Sequence, residues 1–152
     1  MKTICIVPCG NKKIWDVFPD AGPTPAKNVY IGGFASKCQE YARAFYPDSY
    51  FILSAKYGFL QSEEIVPNKY NVTFKKPSTN PITTPELIDI AQQKGLFNAD
   101  RIIVLAGKDY AQIIKRIFPT KEIVEPLLGC KGNGYMMHKI KMALLNMSPI
   151  VS

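Results

Sequence analysis

The chain is 152 residues long, 47% apolar and 20% charged, a balance that excludes a disordered or fibrous architecture and predicts a single domain over 1–152. A length of this order buries roughly 70% of the unfolded surface without disulfide or metal support, and no apolar run reaches the ~20 residues of a membrane span. Nineteen Lys and Arg against twelve Asp and Glu leave a net charge of +7, which favours anionic ligands such as nucleotides, DNA or RNA.

In chain order, Thr3 to Val7 reads as a buried strand that Pro8 and Gly10 cut short, leaving an apolar stretch too brief for a signal-peptide core. The loop Pro8-Cys9-Gly10-Asn11-Lys12-Lys13 follows it. The stretch from Ile14 to Ile31, broken by Pro19, Pro23 and Pro25, has no regular pattern; Trp15 within it is either an anchor packed on the core or a platform for stacking a base. Phe34, Cys38, Tyr41, Ala42 and Phe45 recur on one face of a helix that Pro47 ends, and Tyr50 to Leu53 is the second strand. Gln61 to Pro81 again resists assignment, and insertions of this length serve as lids or binding loops.

A helix follows, with Thr84 as N-cap, Pro85 at its first position, Leu87, Ile88 and Ala91 on the apolar face and Gly95 at its end. Arg101 to Leu105 is the third strand, Asp109 to Phe118 a helix and Glu122 to Glu125 the fourth strand. Gly134 to Met147 closes the chain as a helix, with Met137, Ile140, Lys141 and Leu144 at helical spacing. Alternating strands and helices predict an α/β fold, a three-layer αβα sandwich around a small, mainly parallel sheet of about four strands. Cys5, Cys9, Cys38 and Cys130 form neither CxxC pairs nor a secreted framework, which predicts reduced thiols in the cytoplasm. No metal site and no cofactor are expected from these spacings.

Ligands of an open parallel sheet bind outside the carboxyl ends of its strands. The segments that follow the strands belong together on that rule: Pro8 to Lys13, Ser54-Ala55-Lys56-Tyr57-Gly58, Ala106-Gly107-Lys108-Asp109-Tyr110, and Gly129-Cys130-Lys131-Gly132-Asn133-Gly134-Tyr135. Each carries Gly and Lys. Glycine admits close approach of the backbone, lysine supplies a point charge for phosphate, and tyrosine a stacking face with a polar tip. Convergence at one rim predicts a crevice for an anion or nucleotide, with Cys9, Gly10, Asn11, Lys12, Tyr57, Gly58, Gly107, Lys108, Lys131 and Gly132 as substrate-binding candidates.

Each loop also has a plainer reading: a turn at a strand end, or, for Asp109, an N-cap accepting from the first helical amides. Lys13 and Lys56 are the catalytic candidates, with Ser54 orienting the substrate. Crowded lysines disfavour the charged form and so free an amine for nucleophilic work, while the alternative leaves both as ordinary cations holding phosphate or pairing with Asp16, Asp20, Glu63 or Glu64. His138 is the only histidine. A pairing with Cys9 or Ser54 carries no triad signature, so packing or surface is the simpler assignment.

Pro8-Cys9-Gly10-x-Lys12-Lys13, Pro19-Asp20-Ala21-Gly22-Pro23-x-Pro25-Ala26, the string Ser54-Ala55-Lys56-Tyr57-Gly58-Phe59-Leu60, and Tyr70-x-Val72-Thr73-Phe74 with Asn80-Pro81 cover most of the chain. Together they resemble a family of small bacterial and phage proteins without assigned activity. That family is in turn similar to the peroxide-stress protein YaaA and to the core domain of archaeosine synthase, an enzyme of deazaguanine modification in tRNA. Pro8, Cys9 and Lys13 match the archaeosine-type pattern, and the resemblance puts Lys13 where that family's reactive lysine lies. Ile14 and Trp15 replace its Pro-Tyr, while Phe18 and Ala21 stand at its Ser and His. The resemblance therefore implies a site position and an association with nucleobases, not that reaction. The expected function is an enzyme acting on a nucleobase, nucleotide or nucleic acid, by glycosidic-bond or base-modifying chemistry. The alternative is a non-catalytic module that binds the same ligands.

Overall fold

A computed structural model describes residues 1–150; the last two residues of the predicted domain lie outside the described set. Strand β1 (Thr3–Pro8) opens the chain. It is followed by β2 (Thr24–Pro25), α1 (Ala26–Val29), α2 (Gly33–Phe45), β3 (Tyr50–Ser54), β4 (Gly58–Leu60) and β5 (Ile65–Val66). The second half holds α3 (Thr84–Gln93), β6 (Arg101–Val104), α4 (Lys108–Ile117), β7 (Glu122–Val124) and α5 (Asn133–Leu145). No helix among the described residues is long and apolar enough to cross a membrane.

The main sheet has five strands in the order β4-β3-β1-β6-β7. β1 pairs in parallel with β3 and β6, and β6 with β7. Alternate side chains of these strands enter different cores, as the twofold period of a strand requires. Cys5, Val7, Ile52 and Ile103 face the core beneath α2 and α5. Ile4, Ile6, Leu53 and Val104 face the opposite core, beneath α3 and α4. Both faces of the sheet are thus covered, which is why its strands read as continuous apolar runs rather than alternating ones. The αβα sandwich is as expected.

Four details differ from the sequence reading. The sheet has a fifth strand, because Gly58 to Leu60 turns back antiparallel on β3 instead of continuing as a loop. The reversal takes the three residues Ala55 to Tyr57. Ser54 Oγ accepts from the Lys56 and Tyr57 amides, and Gly58 lies at φ +76°, the left-handed residue that closes a three-residue hairpin loop. The cap of α3 is Thr83, not Thr84, and Pro85 sits one place further in. Helix α4 is capped by Gly107; Asp109 lies within its first turn and caps nothing. Finally, the two unassigned stretches meet each other. Thr24 pairs with Val66 and Pro25 with Ile65 in a short ribbon, and Lys13 bridges to Tyr30.

Leaving β1, the chain passes to its neighbour β3 and later crosses to β6 on β1's other side. The direction of winding reverses there, so the crevice of this sheet opens between the ends of β1 and β6.

Candidate functional site

A cavity of about 390 Å³ occupies that switch point. Gly10 and Asn11 from the β1 loop line it, with Gly32 and Gly33 entering α2, and Gly107 and Lys108 entering α4. Asn133 and Met136 come from the start of α5, and Phe34, Phe74 and Tyr110 supply aromatic walls. Gly10 has φ +71°, and a Cβ there would stand 3.3 Å from Cβ of Ala35, so the chain passes α2 this closely only as glycine.

Three helices begin at this cavity, and each begins on a glycine: Gly32 for α2, Gly107 for α4 and Gly132 for α5, none with a side-chain cap. The first-turn amides of such helices have no intrahelical acceptor, and the aligned peptide dipoles add roughly half a positive charge at each end. Lys75 and Lys108 also line the cavity, and Asp109 is the one carboxylate among its lining residues. The combination suits an anion carrying a planar group against the aromatic wall, and Asp109 offers a hydrogen-bond acceptor at the cavity.

Beside the cavity lies a buried polar cluster centred on Tyr70. Its hydroxyl lies 2.7 Å from Ser54 Oγ and 2.5 Å from the Tyr30 hydroxyl. The Lys13 amine stands 4.5 Å from the Tyr70 ring centre and donates to the Asn11 carbonyl at 3.2 Å. Lys13 is 4% exposed and makes no ion pair among the described residues. Burial therefore lowers its pKa; nearby Cys9 and Asp16 oppose the shift and Lys69 adds to it. Burial also raises the Tyr70 phenol to about 12 and lifts Tyr30 and Tyr110 further. Cys9 Sγ lies 3.4 Å from the Tyr110 hydroxyl, which joins the cluster to the cavity wall. Asp16 accepts from the Lys13 amide at 2.8 Å and pairs with Lys69 at 2.7 Å; the Lys13 amide, then the Lys69 ammonium, hold its carboxyl below the usual range.

The predicted residues divide accordingly. Gly10, Asn11, Gly107 and Lys108 line the cavity. Cys9, Lys13, Ser54, Lys56 and Tyr57 gather in the polar cluster, where Lys56 Nζ lies 5.6 Å from the Tyr70 ring centre and the Tyr57 ring meets it edge-on. Ser54 is completely buried and already bonded to Tyr70 and two amides, so it acts on a ligand only by positioning Tyr70. Lys12 is exposed beside Gly32. Gly58 faces α3, where a Cβ would come within 2.7 Å of Ile90 Cδ1; its place is in packing. Lys131 lines an adjoining groove, and Gly132 caps α5. His138 is exposed and bonds to neither Cys9 nor Ser54. Trp15 packs on the core and donates to the Gly22 carbonyl at 2.9 Å.

Sequence reasoning missed Gly32, Gly33 and Phe34, which lie at the start of a helix rather than after a strand. The signal was the Gly-Gly pair directly before an apolar helical pattern. It also left Tyr30, Tyr70 and Phe74 without roles, since only the chain's return over the sheet edge brings them to the site.

A family model described as a family of unknown function, DUF6884, matches residues 4–138. An uncharacterized protein of Bacillus subtilis (strain 168), YfjM, is 39% identical over 145 residues, which is 95% of this chain and 96% of that protein. No solved structure matches.

Proposed function

The chain belongs to the DUF6884 family of unknown function, and from the chemistry of its crevice we propose that it acts on a nucleotide, a nucleobase or nucleic acid. The observation that carries the reading is the meeting of three glycine-capped helix starts in one cavity. Phosphate takes the free amides, Lys75 and Lys108 add charge, and the base lies against Phe74 and Tyr110. Lys13 is the residue for chemistry. Its depressed pKa leaves more free amine near neutral pH than an exposed lysine has, fit to attack or deprotonate at a base or glycosidic carbon. Lys56, at the exposed edge of the cluster, holds a phosphate or a developing anion.

One observation favours a second reading, a binding module without turnover: Lys13 and Ser54 are both buried. Incubation with nucleosides, nucleotides and oligonucleotides, followed by mass spectrometry, separates the two. Released base or altered mass, lost in Lys13→Met, supports the enzyme. Salt-sensitive binding with no product supports the module. If no nucleotide or nucleic acid binds, or if Lys108→Ala and Lys75→Ala leave affinity unchanged, both readings fall.

A further inference from the structure

The crevice does not end at α4. A second depression, of about 450 Å³, shares Gly107, Lys108 and Met136 with it. A third, open to one side, shares Leu128, Gly129 and Cys130 with the second and ends at Tyr135 and Lys139. The three form one trough along the carboxyl edge of the sheet, from the β1 loop to the start of α5.

Its charges and apolar surface are unevenly satisfied. Glu125, the acid of the middle section, pairs with Lys115 at 2.7 Å, and Lys139 donates to the Pro126 carbonyl at 2.8 Å. Lys75, Lys108 and Lys131 form no ion pair among the described residues. Asp109, at the head, is the remaining carboxylate of the trough. At the far end Tyr135 is 69% exposed and Leu128 72% exposed, an aromatic and an aliphatic face beside Lys131. A single nucleotide in the first cavity leaves the far lysine and the aromatic face without a partner.

Resting on the crevice reading above, we infer that the substrate class is single-stranded nucleic acid. The terminal nucleotide enters the β1/β6 cavity, and the following phosphates pass Lys108 and Lys131. A further, unpaired base stacks on Tyr135. Cationic troughs with aromatic faces bind single strands in this way, because every base offers a π-face and every step a phosphate. Double-stranded nucleic acid offers no free face to Tyr135.

Fluorescence anisotropy with labelled DNA and RNA strands of increasing length, alongside competition by mononucleotides, tests the inference. Affinity is expected to climb from the mononucleotide to strands of about six nucleotides and then level off, on the scale of a single-strand site. Tyr135→Ala is expected to cost about tenfold for the longer strands, the usual scale of one base stack, and to leave mononucleotide binding unchanged. Lys131→Ala is expected to flatten the salt dependence by about one phosphate contact. Both side chains are exposed, so thermal melting should match the parent. Mononucleotide binding without any dependence on length or on Tyr135 overturns the trough and spares the crevice. Absence of binding by every strand and every mononucleotide overturns the crevice reading itself. Equal displacement by polyglutamate overturns the choice of nucleic acid over an acidic peptide.

Discussion

At the start of α3, Thr83 Oγ1 accepts from the Glu86 amide at 3.3 Å while the Glu86 carboxylate accepts from the Thr83 amide at 3.2 Å, so the helix meets its own needs. Helices α2, α4 and α5 begin on Gly32, Gly107 and Gly132 with no such closure. One chain thus builds both kinds of helix start, and the three glycine-led ones meet at the carboxyl edge where the cavity lies. Reciprocal capping serves stability; amides left free at a cavity serve whatever enters it.

This division can be broken most sharply at Gly107. Its backbone suits any residue and a Cβ there meets nothing within 4 Å. Gly107→Asp places a capping carboxylate where the ligand's anion is expected to sit, and nucleotide affinity measured by calorimetry should fall by about 2 kcal/mol, roughly thirtyfold. Thr83→Ala is the converse. Loss of the cap should cost ~1 kcal/mol in chemical denaturation with no change in ligand affinity. Lys13→Met extends the contrast to the polar cluster, where the amine has a single hydrogen-bond acceptor. The variant should gain about 1 kcal/mol of stability and lose activity.

That gain has a defined pH dependence. With its pKa lowered by folding, Lys13 binds more protons unfolded than folded between the two values, so parental stability rises with pH across that window. The advantage of Lys13→Met is therefore greatest on the acid side and closes as pH approaches the ordinary lysine value of 10.5, a trend that denaturation at several pH values reads directly. The smallest effect expected is Gly107→Ser, which should stabilise α4 by only a few tenths of a kcal/mol.

The parallel strands were legible as short continuous apolar runs and the four long helices by apolar residues at helical spacing, both bounded by Pro or Gly. The antiparallel return at Gly58 was not. Its three residues are short, and their burial on β3 is decided by the Ser54 turn rather than by their own pattern. For the candidate site, the rule of the carboxyl edge pointed to Gly10, Asn11, Gly107 and Lys108, which line the cavity from the two loops flanking the switch point. Gly58, named by the same rule, is needed for the turn and for contact with α3. Tyr70 was out of reach. It docks 40 residues from Tyr30 and 16 from Ser54 through hydroxyl contacts that no local pattern announces.

Those hydroxyls also share a middle member. Ser54 Oγ accepts from the Lys56 and Tyr57 amides, which leaves its hydrogen for Tyr70, and the Tyr70 hydroxyl bonds in turn to that of Tyr30. The string starts at the hairpin turn, and its middle member belongs to the segment that carries Phe74 and Lys75 along the cavity wall. That wall is latched to the sheet through one hydroxyl: removing it from Tyr70 leaves Ser54 and Tyr30 without their shared partner, and the latch opens at both together.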